Sequence, residues 1–225
     1  HTGRELARSN LGSGVSMGIH ESQSRFYENV IGRSRAFCSV IYPWLKEHFA
    51  PRLDNVTEDA FYRMINKSQP SLIRTEADEL TYCLHIMVRY ELEKRMFDGT
   101  LTAHDLPAEW NRLYKEYLGI DVPDDRQGVL QDSHWANGNI GYFPSYAIGS
   151  AYGAQYLLEL SKVLDVDAVV RSGDLTPINN WLEEKIWKYG CMKNPVALFE
   201  SVCGKFDPDC YVAYLEKKFT EVYDL

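Results

Sequence analysis

The run His20-Glu21-Ser22-Gln23-Ser24-Arg25-Phe26-Tyr27-Glu28-Asn29 decides how the residues around it are read, because its spacing is helical from the start. On a helix Glu21, Arg25 and Glu28 stand at i, i+4 and i+7 and share one face, while Phe26, Val30, Phe37 and Ile41 lie broadly on another. That pattern predicts one long amphipathic helix with two residues able to bind a metal, His20 and Glu21, at its beginning. Its charged face is either a solvated ladder of ion pairs or the lining of a cleft.

Upstream, residues 1–14 are polar and punctuated by Gly3, Gly12, Ser13 and Gly14, the composition of a loop or a tag remnant. Downstream, helical periodicity runs to about Phe49, with Pro43 expected to kink or break the helix near Tyr42. Thr57 is set to cap a short helix over 58–68 that stops before Pro70. The segment from Ile73 to Leu80 is expected to open another long helix with an acidic first turn, an apolar stripe of Leu80, Leu84, Met87 and Val88, and a glycine stop at Asp98-Gly99. Helices over 105–118, from Pro144 to about 164, and near 177–189, 195–203 and 208–222 complete the chain. The result is a mainly α fold: a loop over 1–14, a single helical domain over 15–225, and at most a small β element near 138–143.

With 225 residues the chain can bury a sizeable core. A net charge of −8 argues against nucleic acid as a partner, which would call for a basic face. No apolar run approaches the roughly 18 to 20 residues of a membrane span, so neither a membrane nor a nucleic acid is an expected partner. The five cysteines, Cys38, Cys83, Cys191, Cys203 and Cys210, are scattered with no CxxC pair, as reduced thiols of an intracellular protein would be.

The chemistry is densest between Gly128 and Tyr146, where Gln131, Asp132, His134, Trp135, Tyr142 and Tyr146 crowd one irregular stretch. Carboxylate, imidazole and phenol on separate segments are the parts of metal-assisted hydrolysis, with tyrosine hydroxyls able to stabilise a developing oxyanion. Each residue also has a plainer role available. Glu76 and Asp78 can complement a helix dipole, His134 can bond Asp132 within a loop, and Tyr142 and Tyr146 can be core aromatics with wet tips.

Three of these stretches, His20-Glu21-Ser22-Gln23, Ile73-Arg74-Thr75-Glu76-Ala77-Asp78 and Gly128-Val129-Leu130-Gln131-Asp132-Ser133-His134-Trp135, resemble signature motifs of the carboxypeptidase Taq family in the family's order. The resemblance extends over 12–225, including Gly141-Tyr142-Phe143-Pro144-Ser145-Tyr146. It implies a multi-helix, zincin-like metallocarboxypeptidase fold and a cytoplasmic, often dimeric enzyme. Such an enzyme releases C-terminal residues from peptides with broad specificity, using zinc or sometimes cobalt. The family holds its metal with the two histidines of a helical HExxH motif and the glutamate of the His-Glu-Ser motif, so Glu21 is implied as a metal ligand. Arg74 and His134, with Gln131 and Asp132, are implied to line the substrate cleft, and Tyr142 or Tyr146 to stabilise the oxyanion; His134 is expected to be catalytic, acting with one of the two tyrosines on the transition state rather than on metal binding. The sequence contains no HExxH, so the resemblance is to the family's C-terminal half. The alternative is a helical module that binds peptides or regulates without chemistry.

Overall fold

The structure is a computed structural model that describes residues 1–225. Ten α-helices form and no strand does: α1 (Met17–Arg25), α2 (Arg35–His48), α3 (Glu58–Ile65), α4 (Tyr82–Phe97), α5 (Leu106–Leu118), α6 (Pro144–Leu160), α7 (Val166–Arg171), α8 (Thr176–Lys185), α9 (Pro195–Cys203) and α10 (Asp209–Tyr223). None is long and apolar enough to cross a membrane. Residues 138–143 are turns, with Gly138 and Gly141 at positive φ.

Several helix ends follow the expected chemistry. Ser16, Ser34 and Thr57 each accept a backbone N–H of the first turn they cap, satisfying donors that have no partner inside the helix. Gly119 takes the left-handed conformation that ends α5. Three expectations are corrected. The long helix after His20 is interrupted not at Pro43 but earlier, by a π-helical stretch over Phe26–Ile31 and a turn before Ser34. Pro43 sits inside α2 on its exposed side, where water can take the carbonyl that its missing N–H leaves free. The segment at Ile73 makes a single 3₁₀ turn over Arg74–Glu76 and then runs extended at Ala77. Asp78 explains the delay: its carboxylate accepts the Ser68 hydroxyl, the Gln69 N–H, and both the N–H and hydroxyl of Thr81, a local network that competes with helix. The stripe predicted on α4 is also rotated: Leu80 and Met87 are 41% and 45% exposed, while Tyr82, His85, Ile86, Val88, Arg89 and Leu92 are buried.

The chain divides into two compact units. One comprises His1–Asn66 with Ile148–Leu225, and the other Lys67–Ala147. In the first, Phe26, Ile31, Tyr156, Leu160, Ile178, Leu182, Leu198 and Phe199 form the main core. There α6 approaches α1 so closely that a Cβ on Gly149 would lie 2.7 Å from the Glu21 backbone; only glycine admits that crossing. In the second, α4 and α5 close on Val88, Leu92, Leu101, Trp110, Leu113 and Tyr114, and a smaller cluster gathers Ala77, Tyr82, Ile86 and Phe143.

Candidate functional site

Six of the seven expected site residues meet in the unit over Lys67–Ala147. At the centre is Asp132. Arg74 donates from Nη2 to its Oδ1 at 2.7 Å and from Nε at 3.1 Å, and Arg89 donates from Nε to its Oδ2 at 2.6 Å. The side chains are 7%, 0% and 10% exposed for Arg74, Arg89 and Asp132, so these charge-assisted bonds act with little screening. Burial pushes the Asp132 carboxyl up, but the bonds from Arg74 and the charges of Arg89 and Arg74 outweigh it and hold the group below the usual carboxylate range. Asp132 is therefore ionised across the neutral pH range.

Gln131 ties the loop to its floor. Its Oε1 accepts from the Arg74 N–H at 2.8 Å and from Arg89 Nη2 at 2.9 Å, while Nε2 donates to the carbonyls of Leu72 and Gln127. Arg74 spends its remaining Nη1 on the Tyr82 hydroxyl at 3.0 Å. Arg74 reaches Asp132 and not Asp78 four residues on, whose carboxylate accepts from Ser68, Gln69 and Thr81 ahead of α4.

Above this floor stand the aromatic residues. His134 Nε2 lies 3.1 Å from the Tyr146 hydroxyl, and His134 Nδ1 lies 3.8 Å from Asp132 Oδ1. If Nε2 carries the proton, it donates to the phenol oxygen and leaves the phenol proton available to another acceptor. Tyr142 packs 5.5 Å from the His134 ring and 5.2 Å from Tyr146, and the Arg74 guanidinium sits 4.9 Å over the Tyr146 ring. Both tyrosines are only half-buried. The loop carrying them is set by Gly141, whose positive φ (72°) favours glycine and whose N–H donates to buried Glu93 on α4.

Glu21, the seventh residue, belongs to the other unit. It is half-buried on α1, accepts from the Ser24 hydroxyl at 2.8 Å, and lies at the Gly149 crossing. Arg25 pairs with Glu28 at 2.9 Å, and Arg33 reaches the same carboxylate at 3.6 Å, so part of the charged face is the ion-pair ladder. His20 is exposed. His1 pairs with Glu183 at 2.9 Å and packs on Trp187 at 4.9 Å. A cavity of about 780 Å³ in this unit, lined by Arg35, Leu157, Lys162, Tyr214 and Lys218 among others, contains none of the expected site residues.

A catalytic zinc takes three protein ligands. No group of three His, Cys, Asp or Glu side chains stands together in this chain, so its residues do not by themselves fit the metal that the family implies.

Sequence reading missed Arg89, Tyr82, Tyr114 and His85, all buried around Asp132. The signal was present in the spacing of His85, Arg89 and Glu93 at i, i+4 and i+8 on α4, a polar line along a helix that is otherwise largely buried.

Carboxypeptidase 1 of Bacillus subtilis (strain 168) is 44% identical over 220 residues, 97% of this chain and 44% of its own length. Thermostable carboxypeptidase 1 of Pyrococcus furiosus is 42% identical over 211 residues, 93% of this chain and 42% of its own. The crystal structure of an M32 carboxypeptidase from Deinococcus radiodurans R1 superposes with a TM-score of 0.95 at 38% identity, covering all of this chain and 46% of that one. The chain thus spans less than half the length of the curated relatives it matches. The pattern of one family, described as carboxypeptidase Taq (M32) metallopeptidase, matches residues 1–219. With that match over nearly its whole length and relatives 42 to 44% identical across more than nine-tenths of it, this chain belongs to the carboxypeptidase Taq (M32) metallopeptidase family.

Proposed function

We propose that this chain is the C-terminal part of a metallocarboxypeptidase that removes C-terminal amino acids from peptides with broad specificity, and that residues 15–225 work as one part of its larger catalytic domain. The observation that carries the reading is the gathering of Arg74, Gln131, Asp132, His134, Tyr142 and Tyr146, drawn from three stretches of sequence, into one partly open cluster. In this reading Glu21 is one metal ligand, and the remaining ligands and the base lie on a preceding segment bearing HExxH. The metal, zinc or cobalt, would supply the activated water and polarise the scissile carbonyl.

The chain's own residues bind and orient. With the His134 proton on Nε2, where it donates to the Tyr146 hydroxyl, Tyr146 directs its phenol proton to the oxygen on which charge develops; Tyr142 closes the aromatic wall beside it. Arg74 gives its fork to Asp132 and Tyr82, so it attracts the substrate's free carboxylate by charge rather than by an open bidentate pair. Gln131 and Asp132 hold it there. The enzyme so read is a cytoplasmic homodimer acting on peptides.

The competing reading, a peptide-binding module without chemistry, is favoured by the lack of any cluster of three metal-capable side chains in the chain. Release of C-terminal amino acids by the longer enzyme, meaning this chain preceded by its HExxH segment, separates the two, and within that enzyme one variant tests the role given to Tyr146. Tyr146→Phe should keep fold and metal while kcat falls by roughly 10² to 10³. Undiminished kcat would leave Tyr146 as a core aromatic.

A further inference from the structure

We propose that Arg89 is a positioning residue for recognition of the substrate's free carboxylate: by sharing Asp132 with Arg74, it leaves the trio of Arg74, Asp132 and Arg89 with one surplus positive charge. This rests on the reading of the cluster as a carboxypeptidase substrate wall. Asp132 alone would neutralise Arg74, and a closed buried pair presents little field to an incoming anion. Two guanidiniums on one carboxylate do not cancel.

The geometry keeps Arg89 away from any ligand. It is fully buried, its Nε is on Asp132 Oδ2, its Nη1 donates to the His85 carbonyl at 2.8 Å, and its Nη2 donates to Gln131 Oε1 at 2.9 Å. Its guanidinium lies over the Trp110 ring at 4.6 Å and the Phe143 ring at 5.4 Å. With its donors engaged it does not touch substrate, so its influence passes through Asp132 to Arg74, which faces Tyr146. His85, whose carbonyl takes the Arg89 donor, is lowered to a pKa of about 3 by burial first and then by the charges of Arg89 and Arg74, against the opposing pull of Asp78 and Asp132.

The plainer role for Arg89 is a clamp that braces α4 against the Gln131-Asp132 loop. Charge distinguishes the two. In the longer enzyme, Arg89→Gln should raise KM for N-acetyl-trialanine on the order of tenfold with kcat nearly unchanged, while inhibition by N-acetyl-trialanine amide stays as in wild type. Arg89→Lys keeps the charge and should hold KM within about threefold. The decisive variant is Arg89→Gln with Asp132→Asn, which leaves Arg74 as the single charge. It should recover most of the lost affinity although it removes one more native group, and it decides the matter if the single Gln variant does not fold.

A folded Arg89→Gln enzyme with unchanged KM overturns the proposal. So does a parallel loss for acid and amide, or a double variant weaker than the single one. A wild-type longer enzyme that releases no C-terminal residues sinks the carboxypeptidase reading and this inference with it; an active enzyme whose variants ignore charge sinks the inference alone.

Discussion

Replacing Asp132 with alanine strands two guanidiniums in the interior. In the native unit Arg74 and Arg89 are 7% and 0% exposed at the side chain and share this one carboxylate through bonds of 2.7 and 2.6 Å. Removing one partner of a buried ion pair typically costs about 3 to 5 kcal/mol, because the remaining charge keeps its desolvation penalty and loses its compensation. Against a total stability of roughly 5 to 15 kcal/mol, that is a large part of what holds the 67–147 unit together. Urea unfolding of the 225-residue chain with Trp44, Trp181 and Trp187 replaced by Phe, so that the fluorescence of Trp110 and Trp135 reports on that unit alone, measures it directly.

The pH dependence carries its own sign. The carboxyl of Asp132 is depressed in the folded state, so its contribution is fully present above the ordinary carboxylate pKa near 4 and is lost as pH falls through the folded value below that. The wild-type chain should lose stability below about pH 4 more steeply than the alanine variant, which keeps only the contributions of other groups such as Glu109 and His85. A loss under about 1 kcal/mol, or an unchanged acid limb, would mean that the two arginines find compensation elsewhere and that Asp132 is not the centre of the cluster.

Two further outcomes are expected of the scaffold. His85, buried and lowered to about 3, stays neutral in the folded state while the unfolded chain protonates from about pH 6.5 downward. The chain should therefore lose stability between about pH 6.5 and about 3 in proportion to that uptake, and His85→Asn should flatten the urea midpoint over this interval; an unchanged slope refutes it. Gly149→Ala places a Cβ 2.7 Å from the Glu21 backbone and should cost about 1 to 3 kcal/mol, read as a lower Tm, whereas Gly153→Ala, whose nearest neighbour is 3.6 Å away, should be neutral or stabilising. Equal effects at both positions would show that the helices separate freely.

Local chemistry made the helix ends legible. Thr57 at an N-cap, Pro107 in a first turn and Gly119 after the last turn each announce a boundary through backbone groups that need a partner. What stayed hidden depended on tertiary partners. The π-helical stretch over Phe26–Ile31 leaves the Asn29 carbonyl to Lys218 of α10 at 3.2 Å, a contact across 189 residues that no window around Asn29 contains. The inward face of α4 was misread because periodicity counts arginine and glutamate as outward, yet Arg89 and Glu93 are buried with Asp132 and the Gly141 N–H as partners. Of the site, the motif stretches pointed to Arg74, Gln131, Asp132, His134, Tyr142 and Tyr146. That they form one cluster, and that Arg89 stands beneath them, follows only from the fold.

The most direct test of the whole account is metal binding and turnover measured side by side on the 225-residue chain and on the longer enzyme that carries it. The account predicts that the chain alone, with Glu21 but no cluster of three metal-capable side chains, retains no stoichiometric zinc and releases no C-terminal amino acid. It predicts that the longer enzyme does both and that Glu21→Gln sharply weakens its hold on zinc. Stoichiometric zinc and robust carboxypeptidase turnover by the isolated chain, or full zinc content in the Glu21→Gln longer enzyme, would contradict it.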